Sequence, residues 1–340
     1  MAESNLTLVL PPFLFAGDDS GCFSDALAAN SASLKSFRKF FGRGERQHFD
    51  EQSMVLCESF GNNFQSTADI PVATLRASGN GFDSGTGYWL CAEPVHLHPD
   101  LDHVVLFDKE HFELSKLELS GLLESLKPLF EEEKIEVCQG DDMTVYLRLL
   151  DVPQVNFTPL DDVVGKNILP FMPSGDEAAK WTLLANEIQM MMSQSDVNRQ
   201  REEQGQSTIN GLWFWGGGFL TPRKYDQEFD RVWSDNPFIR GLANFKGIKV
   251  KPSLQGFNEL EPGLRALVSV TCDGSDQEKY LSMLLDLDEQ WIAPALNAIK
   301  KGELECFTLV SGHSRVDINK KLLGRFWKRS AGAKDLIAWL

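Results

Sequence analysis

Two short runs, Ala266–Thr271 (ALVSVT) and Cys306–Val310, have the apolar, β-branched make-up of buried strands, and a helix-spaced stretch lies between them. That order constrains the fold more than anything else in the chain. A helix between two strands carries the chain back over a sheet face, so the strands become parallel neighbours, and a parallel sheet has to be covered on both faces. The intervening helix is predicted to open at a capping box, Ser275 and Glu278, to bury Leu281, Leu284, Leu285 and Trp291, and to kink or end at Pro294. The C-terminal half therefore reads as α/β.

Towards the N-terminus, the run Leu6–Leu10 stops at Pro11 and Pro12 and reads as one more buried strand. Residues Ser20 to Gly61 are irregularly helical in pattern, and Gly79–Gly87 (GNGFDSGTG) reads as a loop. Tyr88–Ala92 and His103–Phe107 read as strands joined through Pro99–Asp102, with Pro94 and Pro99 arguing against one continuous strand. Ser115 and Glu118 form a capping box ahead of Leu119, Leu122, Leu123, Leu126 and Phe130, and Ile135–Cys138 and Met143–Leu150 follow as strands. A connector, Val152–Pro173, leads to another capping box, Ser174 and Glu177, and to a helix burying Trp181, Leu184, Ile188 and Met191, with the run Met190 to Met192 assigned to the core. The predicted organisation is an α/β core from 1–79 and 156–340, in which both ends share one sheet, and a smaller α+β insert at 80–155.

Charge narrows the partners. With 49 acidic against 33 basic side chains the chain carries a net charge of -16, so nucleic acid and anionic membrane surfaces are not expected partners unless they meet a local patch. The candidate patch is Lys320, Lys321, Arg325, Lys328 and Arg329 around Phe326 and Trp327 in the sequence, which reads as a face that pairs internally or at an oligomer contact. Met1–Leu10 has no basic n-region, no apolar run reaches the roughly 18 residues of a membrane span, and the six cysteines are scattered singly. A cytoplasmic protein with reduced thiols is expected.

Candidate chemistry gathers in two places. Glu93, His96, His98, Asp100, Asp102 and His103 make the densest polar cluster, and His96 and His98 would share one side of a strand. Farther on, Asn198 and Arg201 are three apart and would face the same way from a helix, ahead of Asn210, Trp213, Trp215 and the run Gly216, Gly217, Gly218. Glycine frees backbone amides that can cradle an anion, tryptophan faces can wall a pocket, and an arginine can fork onto a phosphate or pair with Glu202 and Glu203 instead. On the pocket reading, replacing Arg201 by alanine is expected to cost less than about 1 kcal/mol of stability if its charge is solvent-exposed. A tight turn between packed elements is the alternative for the glycines.

Taken together, the tracts TPLDDVVGKNILPF, DVNRQREEQGQSTINGLWFWGGG, LSMLLDLDEQWIAPAL and RFWKR resemble bacterial proteins described as RpfE-type regulatory or phosphoglycerate mutase-related. More distantly, the order of parts resembles the archaeal-type cofactor-independent phosphoglycerate mutases of the alkaline phosphatase superfamily. That family's pattern places Asn198, Arg201, Gly205, Asn210, Gly216 and Gly218 at substrate-site positions, with Trp215 where it has an arginine. The departures fall at the metals. Where the family has Asp-Gly after the first core strand this chain has Pro11-Pro12; the nucleophile tract reads QSMVLCESFGNN, with Ser53 the nearest serine; and the late Asp-His-Ser motif reads Gly312-His313-Ser314.

The resemblance implies an alkaline-phosphatase-superfamily-like α/β core sheet with helices on both faces. It also implies a protein that lacks the two-metal site: no metal, no cofactor, and a regulatory or ligand-binding role in place of catalysis. The pocket would comprise Asn198, Arg201, Asn210, Trp213, Trp215, Gly216, Gly217 and Gly218 with His96, open to a small anionic ligand, and homo-oligomerisation stays open. The alternative is an active phosphoglycerate mutase or phosphatase-like enzyme on a phosphorylated metabolite.

Overall fold

The structure, a computed structural model, describes residues 4–11, 19–30, 32–49, 52–62, 70–83, 87–141, 143–220, 227–272, 277–332 and 336. The chain begins with β1 (Asn5–Val9), α1 (Asp19–Asn30), α2 (Lys35–Arg43), β2 (Glu45–His48) and α3 (Gln52–Ser59). It continues through α4 (Val72–Gly79), β3 (Tyr88–Asp100), β4 (His103–Phe107), α5 (Lys116–Glu132), β5 (Glu136–Gln139), β6 (Val145–Leu149), α6 (Ala178–Ser193), α7 (Asp196–Glu203) and β7 (Gly211–Gly218). The last part holds β8 (Arg231–Trp233), α8 (Pro237–Phe245), β9 (Lys249–Lys251), β10 (Arg265–Ser269), α9 (Gln277–Leu287), α10 (Ala293–Lys301), β11 (Cys306–Ser311), β12 (Ser314–Asn319) and α11 (Lys320–Leu323). Two compact units result: Met1–Thr67 with Arg223–Leu340, and Ala68–Pro222.

The first unit is an α/β layer structure on a seven-stranded sheet of order β2-β12-β11-β1-β10-β8-β9. β1 lies parallel between β10 and β11, with Asn5 opposite both Arg265 and Cys306, so the two ends of the chain do share one sheet. Leu6, Leu8, Val268, Phe307 and Leu309 on one face meet Phe37, Phe40 and Phe41 of α2 together with Leu284, Trp291 and Leu296. The spacing of those phenylalanines is that of an inward helix stripe, and each buried ring contributes about 2 kcal/mol. Val9, Leu267 and Val310 point the other way and are buried as well, so both faces are covered. β12 and β2 extend the sheet antiparallel; the sequence reading had ended the strands at Cys306–Val310, because β2 is all polar and exposed and carries no apolar signal. Pro294 sits in the first turn of α10, where its missing N–H is harmless, and a π-helical turn at Asp288–Ile292 joins α9 to α10. Ser275, Pro12 and the side chain of Cys22 lie outside the described residues; Cys57, Cys138 and Cys306 are free thiols.

The second unit is a five-stranded antiparallel sheet centred on β3, which pairs with β4, β6 and β7. α5 and α6 cover one face through Leu119, Leu122, Leu126, Trp181, Leu184 and Ile188. The prolines do not break β3. Pro94 falls between the stretch paired with β6 (Tyr88–Ala92) and that paired with β4 (His96–Asp100), where only β7 is a neighbour, so no ladder bond is lost on that edge. This unit reaches well beyond the 80–155 insert read from the sequence, because β7 pairs along β3 and brings α4, α6 and α7 with it. The Ser115–Glu118 capping box forms as expected. The Ser174–Glu177 box does not: Glu177 accepts from the Gln154 N–H at 2.6 Å instead. Of the methionine run, Met192 is buried and Met190 is 62% exposed, so only part of it belongs to the core.

Candidate functional site

Ser195 caps α7 by accepting from the Asn198 N–H, and the three-residue spacing then turns Asn198 and Arg201 inward, where they are 1% and 3% exposed. The Asn198 amide donates to the Met192 and Ile209 carbonyls and accepts from the Ile209 N–H, each at 2.8 Å, which closes the loop 204–210 onto the end of α6. Arg201 donates from Nε to the Ser207 carbonyl at 2.7 Å and from its guanidinium to Glu118 at 2.6 Å. Burial works to raise the Glu118 pKa, but the Ser115 hydrogen bonds and Arg201 outweigh it and hold the carboxyl below its ordinary value. Asn210 extends the β-ladder past β7: its side chain accepts from the Leu97 N–H at 2.7 Å and donates to the Leu97 carbonyl at 2.9 Å. His96 donates from Nδ1 to the Thr208 carbonyl at 2.7 Å. These groups are brought together, but as the clasp of one loop. The condition of solvent exposure set for Arg201 is not met: its charge is buried and paired.

β7 alternates faces. Phe214 joins the core under α6, while Trp213 and Trp215 face Val95, Leu106 and Val163, and the Trp213 indole donates to the Thr158 carbonyl at 2.9 Å. Trp213 is buried; Trp215 is half-exposed beneath the Arg76 guanidinium, 5.9 Å from the ring centre. Arg76 in turn pairs with Glu93 at 2.9 Å and donates to Thr144 at 2.5 Å, while Thr144 donates to Glu93 at 3.0 Å. The glycines serve close packing. A Cβ on Gly217 would stand 2.2 Å from the Tyr88 hydroxyl and one on Gly218 2.8 Å from Pro71, while Gly216 has a positive φ of 68°. The Gly218 carbonyl accepts from the Thr74 hydroxyl at 2.6 Å. Arg76 and Thr144 escaped the sequence reading, which had no local spacing to link them to Glu93.

A parallel sheet offers a second place for a site, the carboxyl ends of its strands. In the first unit, Ser269 donates to the Ser234 hydroxyl at 2.6 Å, the Asn236 N–H donates to Ser234 at 3.1 Å, and Ser253 donates to the Ser269 carbonyl at 2.9 Å. Gln52 donates to the Leu10 carbonyl and Tyr280 to that of Pro11. Ser53 lies in the first turn of α3. His48 and His313 stand with ring centres 6.1 Å apart, and Ser314 lies 3.4 Å from His48 Nδ1. Among the described residues no three His, Cys, Asp or Glu side chains converge as metal ligands.

No protein-family model matches the chain. Over 236 residues it is 23% identical to the 2,3-bisphosphoglycerate-independent phosphoglycerate mutase of Methanosarcina barkeri, covering 62% of this chain and 59% of that protein. Over 166 residues it is 26% identical to a probable enzyme of the same name from Geobacter sulfurreducens, covering 46% and 40%. The chain is a distant homologue of these phosphoglycerate mutases. The matched stretch spans little more than half of the Methanosarcina protein. The PH0037 protein of Pyrococcus horikoshii is 12% identical with a TM-score of 0.57 over 99% of this chain and 92% of its own, which shows a shared mixed α/β fold.

Two cavities among the described residues lie away from the loop clasp. One of about 390 Å³ is lined by Pro94, Lys109, Glu110, Phe112, Glu113, Leu114 and Met143. Another of about 340 Å³ is lined by Asn5, Glu305, Cys306, Asn319, Lys320 and Lys321. Neither takes in Asn198, Arg201, Asn210, the two tryptophans, the glycines or His96. No helix among the described residues is long and apolar enough to cross a membrane.

Proposed function

We propose that this protein is a catalytically degenerate relative of the phosphoglycerate mutases, acting in the cytoplasm as a regulatory or ligand-binding protein. The observation that carries the reading is the chemistry at the carboxyl ends of the parallel strands, where Ser234 and Ser269 hydrogen-bond to each other. Two divalent ions about 4 Å apart need carboxylates and imidazoles to hold them. Hydroxyls paired among themselves bring no charge to that task. The resemblance to RpfE-type regulatory proteins supports the regulatory half. For a small anionic ligand, Trp215, Gly216, Gly217, Gly218 and His96 are half-buried and keep part of their surface in water, whereas Asn198, Arg201, Asn210 and Trp213 are committed to the scaffold.

The test is interconversion of 2- and 3-phosphoglycerate by the purified chain with added manganese, where no turnover above buffer is expected. Turnover in the ordinary enzyme range of about 1 to 1000 per second, abolished by a chelator, would overturn the reading. The rival reading, an active mutase or phosphatase, draws on the His48 and His313 pair, since imidazoles in proximity are metal-ligand material. Adding a generic phosphomonoester to the same assay covers it.

A further inference from the structure

The basic and aromatic segment 320–329 has no part in the reading above, and its geometry differs from a face that pairs internally. Phe326 and Trp327 are 80% and 68% exposed, in edge-to-face contact at 5.2 Å. Lys328 and Arg329, next in the chain, are exposed; Lys320 and Lys321, also exposed, line the cavity with Asn5 and Glu305, and Arg325 pairs with Glu45 at 3.2 Å. The segment is tied at both sides. Upstream lies α11, capped by the Asn319 side chain. Downstream, Ala331 and Arg38 exchange two hydrogen bonds at 2.8 and 2.9 Å, and the Arg329 carbonyl passes so close to Gly42 that a Cβ there would stand 2.3 Å away. Two large rings are thus held in water by a braced turn, at a place where a chain of net charge -16 concentrates cations.

We propose that this turn is a docking tip for a membrane surface bearing anionic lipid headgroups. The partner has to satisfy two chemistries at once. Its negative charge must meet the cations, and an apolar layer behind that charge must take the rings, as an interfacial bilayer does. Single-stranded nucleic acid fits less well, because it stacks bases on open ring faces and the Phe326 and Trp327 rings are turned edge-to-face against each other. An acidic peptide needs a groove, and neither cavity described above is lined by these rings. The acidic remainder of the chain does not forbid the contact, since charges beyond a Debye length of about 8 Å are largely screened.

The experiment is flotation of the full-length chain with vesicles of phosphatidylcholine alone and with about a third phosphatidylglycerol, at low and physiological salt. Binding is expected only to the anionic vesicles and should weaken as salt rises. Lys328→Ala/Arg329→Ala should lower partitioning roughly 30-fold, at about fivefold per cation near an anionic surface. Phe326→Ser/Trp327→Ser should abolish flotation while leaving the thermal midpoint unchanged, because both side chains already lie in water. No flotation of the wild-type chain, flotation that survives Phe326→Ser/Trp327→Ser, or a single-stranded oligonucleotide bound through the same residues without vesicle binding would each overturn the proposal.

Discussion

Arg201 and Glu118 show how a residue pattern can be legible while its role is not. The spacing of Asn198 and Arg201 correctly placed both on one helix face, but spacing does not say whether that face looks outward. The structure turns it inward against Glu118 and the Ser207 carbonyl. Arg201 is buried, and its removal takes charge-assisted hydrogen bonds from the Ser207 carbonyl and from the half-buried Glu118, so Arg201→Ala should destabilise by about 2 kcal/mol in urea titrations, beyond the surface value expected from sequence. A loss under about 1 kcal/mol would mean that Arg201 is not buried and bonded in solution. Glu118 adds a pH signature. Its folded pKa lies below the unfolded value, so its contribution is present above the unfolded carboxylate pKa and disappears as pH falls through the folded one. Glu118→Gln should remove that step from a stability-against-pH curve.

At the scale of elements, local signals were read well wherever a distant group left the local bond intact. The Ser115–Glu118 box forms because Glu118 closes it through Oε2 while Arg201 takes Oε1; in the Ser174–Glu177 pair the carboxylate goes to the Gln154 N–H instead. α2 has the reverse arrangement, a helix whose N-cap, Leu34, offers no side-chain bond and whose first amides are served from 251 and 252 residues away. Asp288, on the π-helical turn, accepts from the Ser36 N–H at 3.3 Å and from the Phe37 N–H. No sequence window contains that contact. Asp288→Ala should cost about 1 to 2 kcal/mol, the ordinary worth of a cap. Burial pushes the Asp288 carboxyl up, against the pull of those two amides. Its pH sign is therefore opposite to that of Glu118: the contribution is present below the unfolded pKa and lost as pH rises through the folded one. Urea midpoints of wild type and Asp288→Asn at pH 4 and pH 7 should show the wild-type advantage shrinking at the higher pH, and an advantage that grows would refute the assignment.

For the molecule as a whole, the α/β class and the sharing of one sheet by both chain ends were legible, because buried parallel strands announce themselves as apolar runs. The extent of the second unit was not, since β7 joins β3 through a pairing across more than 100 residues that no local pattern encodes. That unit is one continuous stretch, Ala68–Pro222, with its own apolar core around Leu90, Leu122, Leu147 and Trp181. A 68–222 fragment should therefore show a single cooperative urea transition and near-ultraviolet dichroism, and a fragment without fixed aromatic signals would sink this expectation. The first unit has a different history on the ribosome. β1 is made well before the strands that flank it, β10 and β11, which follow only after about 250 further residues. At roughly 5 to 20 residues per second, the strand Asn5–Val9 waits for tens of seconds with both edges unpaired. Throughout that interval it is a natural binding site for a holdase chaperone, and a stalled or truncated translation product would carry that hazard into the cell.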